Sequence, residues 1–245
     1  MRHTILLFLI LFTISLQAQL KDCSECDTIT YAPADIAKNT LYDLQLLRNE
    51  IFARHQYVFK DARLLEYFQE YLWYQPDHNN PAKVTLNSIE NANITLFKNG
   101  EGRIKKKRQR LFNELGELKR VLKQKDTITI NLFLDGALSD GVTTIGAMKE
   151  LHAIFSKIDL KDVNWYKDKA IYKVSTDNGF LVRKAELHIN GNEVIISAGD
   201  IKHSEIMTDP FKFGSNYYSE DEYQSVWIFK FDGQKLRLDQ HIIAG

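Results

Sequence analysis

Two cysteines in 245 residues, both inside one Cys-x-x-Cys, leave no disulfide framework to hold this chain together. At this length none is needed, because a hydrophobic core of ordinary size suffices. Proline (4) and glycine (12) are scarce and no internal repeat is present, which excludes collagen-like and low-complexity designs. Neither sign of charge prevails: Lys+Arg and Asp+Glu are both 32, so the basic excess of a dedicated nucleic-acid binder is missing. No apolar run reaches the roughly 20 residues of a membrane-spanning helix. The strings HExxH, GxSxG and GxGxxG are absent, as is a phosphate loop. No cofactor is called for. Histidines 55, 78, 152, 188, 203 and 241 are scattered, and a second thiol pair for zinc is missing, so no metal is expected. What is there, 44% hydrophobic and 26% charged, is a globular composition of one or two domains.

Residues 1–18, MRHTILLFLILFTISLQA, have the layout of a secretory signal peptide. Arg2 and His3 form a positive start, Ile5 to Ile14 an apolar run, and small Ala18 marks the cleavage point. The sequence predicts export to the periplasm or extracellular space, with no transmembrane anchor after cleavage. Residues 19–38 read as a polar leader carrying Cys23 and Cys26. Lys21 and Asp22 precede Cys23, which argues against a lipidated cysteine. In an oxidising compartment the pair forms a local disulfide, or the leader is disordered. A redox Cys-x-x-Cys would sit between a strand and a helix start, which a polar leader does not offer.

Residues 39–99 are helical in pattern. Leu41, Leu44, Leu47 and Ile51 make an apolar face for a helix over 39–55, capped by Asn39 or Thr40. A second helix fits 61–72, with Asp61 as cap and Leu64, Leu65, Tyr67, Phe68 and Leu72 as its apolar face. Pro76 ends that region. A third helix starts near Asn87 or Ser88. Residues 100–126 predict a separate amphipathic connecting helix, with Ile104, Leu111 and Leu118 spaced by seven and Leu115 and Leu122 beside them.

The string RNEIFARHQYVF at 48–59 resembles the YARHG domain family. The likeness continues through Asp61, Leu64, Tyr67, Phe68, Trp73, Tyr74, Pro76, Leu86, Asn87, Glu90, Asn93 and Ile94, over about 40–97. Phe52 replaces the usual Tyr. Gln56 stands where the motif ends in Gly, at a position suited to a left-handed helix terminus. The resemblance implies export and association with the cell envelope. It implies no catalytic activity.

Residues 127–245 predict an α+β domain. A strand is expected at 127–134, and DGALSDG follows as a loop in which Asp135 and Asp140 serve turns or caps. A helix at 143–156 presents Ile145, Met148, Leu151, His152 and Phe155. Strands fit 169–176, 180–190 and 193–199, joined at Asn178-Gly179 and Asn190-Gly191-Asn192. A last hairpin pairs 223–231 with 235–243 about Asp232-Gly233. One of its faces, Tyr223, Ser225, Trp227, Phe229 and Phe231, should cover a core against the helix. The expected class is therefore α+β: a small all-helical module, a connecting helix, and an antiparallel sheet with a packed helix.

The polar residues Arg48, Glu50, Arg54 and His55, with the aromatics Tyr57, Trp73 and Tyr74, are the candidate binding set. Two readings stand. They line an open pocket in which a guanidinium forks onto a carboxylate, or the charges satisfy one another and Glu90 and so fix the helices. The run RIKKKRQR at 103–110 is either a solvated helix face or an attraction to an anionic envelope surface. The stretch 200–220 carries Phe211, Phe213, Tyr217 and Tyr218 in a long loop, as a binding element or a plug for the sheet end. The expected function is a non-enzymatic, exported envelope protein binding or scaffolding a glycan, peptide or protein. The alternatives are a hydrolase of envelope polymer using Glu50 with His55, and a C-terminal small-ligand binder lined by the Trp227 face.

Overall fold

A computed structural model describes residues 19–79, 84–134, 138, 140–202 and 222–244. The signal-peptide reading (1–18), Asp135, and the aromatics between 203 and 221 lie outside the described residues. Among the described residues five α-helices and a short 3-10 turn at Leu160–Asp162 precede six strands, and the class is α+β. The chain divides into two compact units between Gly102 and Arg103.

In the first unit, α1 runs Leu41–Arg54. Thr40 caps it through a reciprocal pair: its hydroxyl accepts from Asp43 N while Asp43 Oδ2 accepts from Thr40 N. The helix buries Leu44, Leu47 and Ile51. It closes with Tyr57 N donating to Phe52 O and Gln56 N to Ala53 O, a Schellman terminus with Gln56 at φ 60°. The Phe52 and Tyr57 rings meet edge-on at 6.0 Å, the apolar contact that accompanies this motif. So the turn closes in the ordinary way despite the Gln, with the steric cost left in the backbone.

The second helix, α2, is Ala62–Gln69, capped by Asp61. It is shorter than the 61–72 expected: single turns at Tyr71 and Tyr74 follow it, and Leu72 is 97% exposed. Phe59, Phe68 and Tyr74 form a small aromatic core with Ala53.

The leader is not a loose tail. Cys23 and Cys26 are joined in a disulfide, with Cα atoms 5.0 Å apart, and both are buried. The buried amide of Asn93 holds this segment on three sides. Its Oδ1 accepts from Tyr31 N at 3.0 Å, and its Nδ2 donates to Cys26 O and Ile29 O at 3.0 and 2.7 Å. Asn39 exchanges two more bonds with the backbone of Leu20.

One helix, α3, spans Ser88–Gln124, where two were expected. Asn87 and Glu90 cap its start reciprocally. Gly100 and Gly102 do not break it, because a helix of this length absorbs the roughly 1 kcal/mol each glycine costs. Gly100 also has a packing reason: a Cβ there would lie 2.8 Å from Leu44 Cδ1 and 3.2 Å from Ile36 Cδ1.

In the second unit, residues 127–134 form α4 (Thr127–Leu134), not a strand. Asp126 decides this: its Oδ1 accepts from Ile128 N and Thr129 N, and its Oδ2 from the Thr129 hydroxyl. Ile130, Phe133 and Leu134 face inward at helical spacing while Ile128 and Leu132 stay exposed. The next helix, α5, is Thr144–Phe155 with Thr143 as cap. Ile145, expected on its inner face, is 59% exposed.

Six strands follow in an antiparallel meander, β1 Asn164–Tyr166, β2 Lys169–Asp177, β3 Leu181–Asn190, β4 Glu193–Lys202, β5 Glu222–Phe231 and β6 Leu236–Ala244. The short β1 was not foreseen. A bulge at Ile228/Phe229 shifts the β5–β6 register. One sheet face, with Leu187, Ile196, Trp227 and Phe229, packs on Leu111 to Leu122 of α3, on α4 and on α5 as a single core. Trp227, Phe229 and Phe231 of the expected aromatic face are buried in this core against helix side chains, with Ser225 beside them, whereas Tyr223, expected on the same face, is 42% exposed.

The cationic run on α3 is put to use at the turns of this sheet. Lys107 donates to Asn192 between β3 and β4, Arg108 to Lys167 O between β1 and β2, and Arg110 to Gly233 O between β5 and β6. Arg108 also lies 3.9 Å above the Trp165 ring.

Candidate functional site

The candidate residues of the first unit sit on α1, its terminal turn and the segment after α2. Arg48 Nε donates to the buried Glu101 at 2.7 Å. His55 Nε2 lies 2.6 Å from Glu90 Oε1. Arg48 and His55 fall on one side of α1, as helical spacing requires, and both reach carboxylates of α3. Between them, Arg54 turns to Glu50, placing Nε at 3.0 Å and Nη2 at 2.5 Å from Oε1.

Glu50 is buried and also accepts from the backbone N–H of Cys23. Burial raises its carboxyl above the usual range, and the Arg54 bonds and charge work against that. Asp22 moves the other way, lowered first by the hydroxyl and amide of Ser24. Arg54 stacks 4.5 Å over the exposed Trp73 ring, and Trp73 in turn packs at 5.4 Å from Tyr71.

A cleft of about 490 Å³ opens where the disulfide segment meets these helices. Arg54, His55 and Glu90 line it, together with Cys23, Cys26, Asp27 and Ile51. The expected set therefore divides. Arg54 and His55 stand at the cleft, while Trp73 lies against Arg54 and is not among the cleft's lining residues. Arg48 is spent on Glu101. Tyr74 is buried and its hydroxyl donates to the Tyr57 backbone carbonyl at 2.7 Å, so Tyr74 is not offered to a ligand as a polar group; the Tyr57 ring packs edge-on against Phe52 and Phe59. The charges are paired with one another, and Arg54, His55 and Glu90 also line an open cleft.

The acid–base pair imagined for hydrolysis is not assembled. Glu50 belongs to Arg54 and Cys23, whereas His55 belongs to Glu90. Of the two hydroxyl residues lining the cleft, Ser24 and Thr85, Ser24 donates to Asp22 at 2.6 Å. Sequence reasoning missed Glu101 and the role of Asn93 and of the leader. The only available signal was the place of Asn93 in the family string.

Residues 21–101 match the YARHG domain family. The match begins in the leader, well before the 40–97 over which the motif resemblance runs, and the structure explains why: the YARHG-matching unit is completed by the Cys23–Cys26 segment docked on Asn93 and Asn87. No family model matches the C-terminal half, and no curated protein or solved structure matches the chain. No helix among the described residues is long and apolar enough to cross a membrane. No cluster of potential metal ligands occurs among them either.

Proposed function

We propose that this chain is an exported, non-enzymatic protein of the bacterial cell envelope, and that its YARHG-matching unit holds an envelope component at the Arg54–His55 cleft. The observation that carries the reading is the state of Arg54. Its guanidinium is anchored on a buried carboxylate and an indole face, yet a third of the side chain remains exposed at the cleft. An arginine held this way is set in position before a ligand arrives, so little rotamer freedom is lost on binding. The anionic groups of a glycan or peptide suit it, with Trp73 beside it for a sugar ring or an apolar side chain. Export rests on the signal-like residues 1–18 and on the family resemblance.

The test is retention of the mature chain on isolated cell-wall and outer-membrane fractions at low salt. Wild type is retained, Arg54→Ala and Trp73→Ala are lost, and Lys106→Ala, a change on an exposed helix face, is retained. Failure of the wild type to bind, or binding untouched by Arg54→Ala and by Trp73→Ala, overturns the proposal. So does turnover of an envelope polymer by the purified protein.

A further inference from the structure

The C-terminal unit carries a second concave feature, unrelated to the cleft above. A groove of about 350 Å³ runs between the last turn of α3, the start of α4 and α5. Its floor is apolar, made by Leu122, Ile145 and Met148. Ile145 is 59% exposed there, on a helix whose other large apolar side chains are buried.

The rim is cationic. Lys125, Lys149 and His152 edge the groove, and none of their side chains makes a hydrogen bond or ion pair among the described residues. The acids adjacent in sequence are committed elsewhere. Asp126 caps α4, and Glu150 accepts from the Tyr223 hydroxyl at 3.2 Å. Positive charge with no partner among the described residues, set above hydrocarbon, is complementary to one kind of molecule: an anionic head on an apolar tail.

We propose that this groove binds a single-chain anionic amphiphile, one molecule at a time. Its alkyl tail lies on Leu122, Ile145 and Met148, and its acid head sits between Lys125 and Lys149. Size selects the chain over a partner helix, whose cylinder alone is about 10 Å across. Concavity selects it over a bilayer surface, which needs a protruding apolar face.

The probe is decanoate below its micellar concentration, titrated into the full mature chain by calorimetry, beside octanoate, decanol and decyltrimethylammonium. Decanoate saturates a single site. Affinity rises about fourfold per added methylene from octanoate, the value expected for burying hydrocarbon. Decanol binds about tenfold more weakly, for want of a charge to meet the lysines. Ile145→Asp, at a side chain already exposed, abolishes binding without lowering the melting temperature. Lys125→Glu with Lys149→Glu transfers the preference to the cationic amphiphile, which a merely structural role for the lysines would not produce. No saturable decanoate binding, equal affinity for decanol, or binding that survives Ile145→Asp each overturns the proposal. So does an acidic amphipathic helical peptide that binds where decanoate does not.

Discussion

His55 and Glu90 meet at 2.6 Å, Nε2 to Oε1, tying the C-cap of α1 to the first turn of α3. The second oxygen of Glu90 accepts from Asn87 N at 2.8 Å, so one buried carboxylate serves a helix cap and an interhelical tie together. Its removal leaves two donors without a partner. Glu90→Ala should lower stability by about 2–3 kcal/mol in urea unfolding. His55→Ala alone costs less, since a third of that side chain is solvated. A double-mutant cycle should return a coupling of about 1 kcal/mol between them. Strict additivity would show the contact to be ornamental.

Gln56 offers a gain instead of a loss. It holds φ 60° inside a complete Schellman terminus, a conformation unfavourable for any residue with a Cβ. Gln56→Gly should raise stability by about 1 kcal/mol, the relief of strain exceeding the added freedom of the unfolded chain. An unchanged or lower urea midpoint would mean that the Gln side chain has a compensating role.

Two glycines of α3, one turn-fraction apart, should respond with opposite signs. Nothing lies within 4 Å of a Cβ built on Gly102, so Gly102→Ala stabilises by about 1 kcal/mol through helix propensity alone. At Gly100 the same methyl meets Leu44 and Ile36, both buried and unable to swing away. Gly100→Ala should therefore destabilise by about 1–2 kcal/mol, overpacking outweighing propensity. Thermal melts of the two variants settle the comparison.

Glu50 makes a prediction about pH. Its folded-state carboxyl is raised by burial above the ordinary 4.5. Well below that value both folded and unfolded chains hold the proton. As pH rises the unfolded chain releases it first, and stability owed to this group is lost as pH passes through the raised folded value. Glu50→Gln removes the titration. The stability of wild type relative to Glu50→Gln should therefore fall as pH climbs from about 3 to about 8, measured by urea midpoints. The opposite slope would mean that the Arg54 and Cys23 bonds outweigh burial.

Local signals were legible and distant ones were not. Thr40 and Asp61 announce α1 and α2 because capping is written within a few residues of the helix it starts, and α5 shows in its apolar spacing. The alternation of β2 to β6 and their turn residues were likewise readable. Thr127–Leu134 was misread because its β-branched residues outweighed the capping aspartate just before it. At the site, the Arg54–Glu50 pair is an i,i+4 neighbour and visible. The Arg48–Glu101 tie and the grip of Asn93 on the leader join residues far apart in the chain, and no short-range pattern encodes them.

The sheet places its strands in the order in which they occur in the chain. Each new strand can zip onto the previous one as it appears, so the entropic toll of ring closure stays small at nearly every step. The exception is the joint between Lys202 and Glu222, the longest stretch between neighbouring strands. Assembly should therefore hesitate there, with the first four strands paired and β5–β6, which brings Trp227, arriving last.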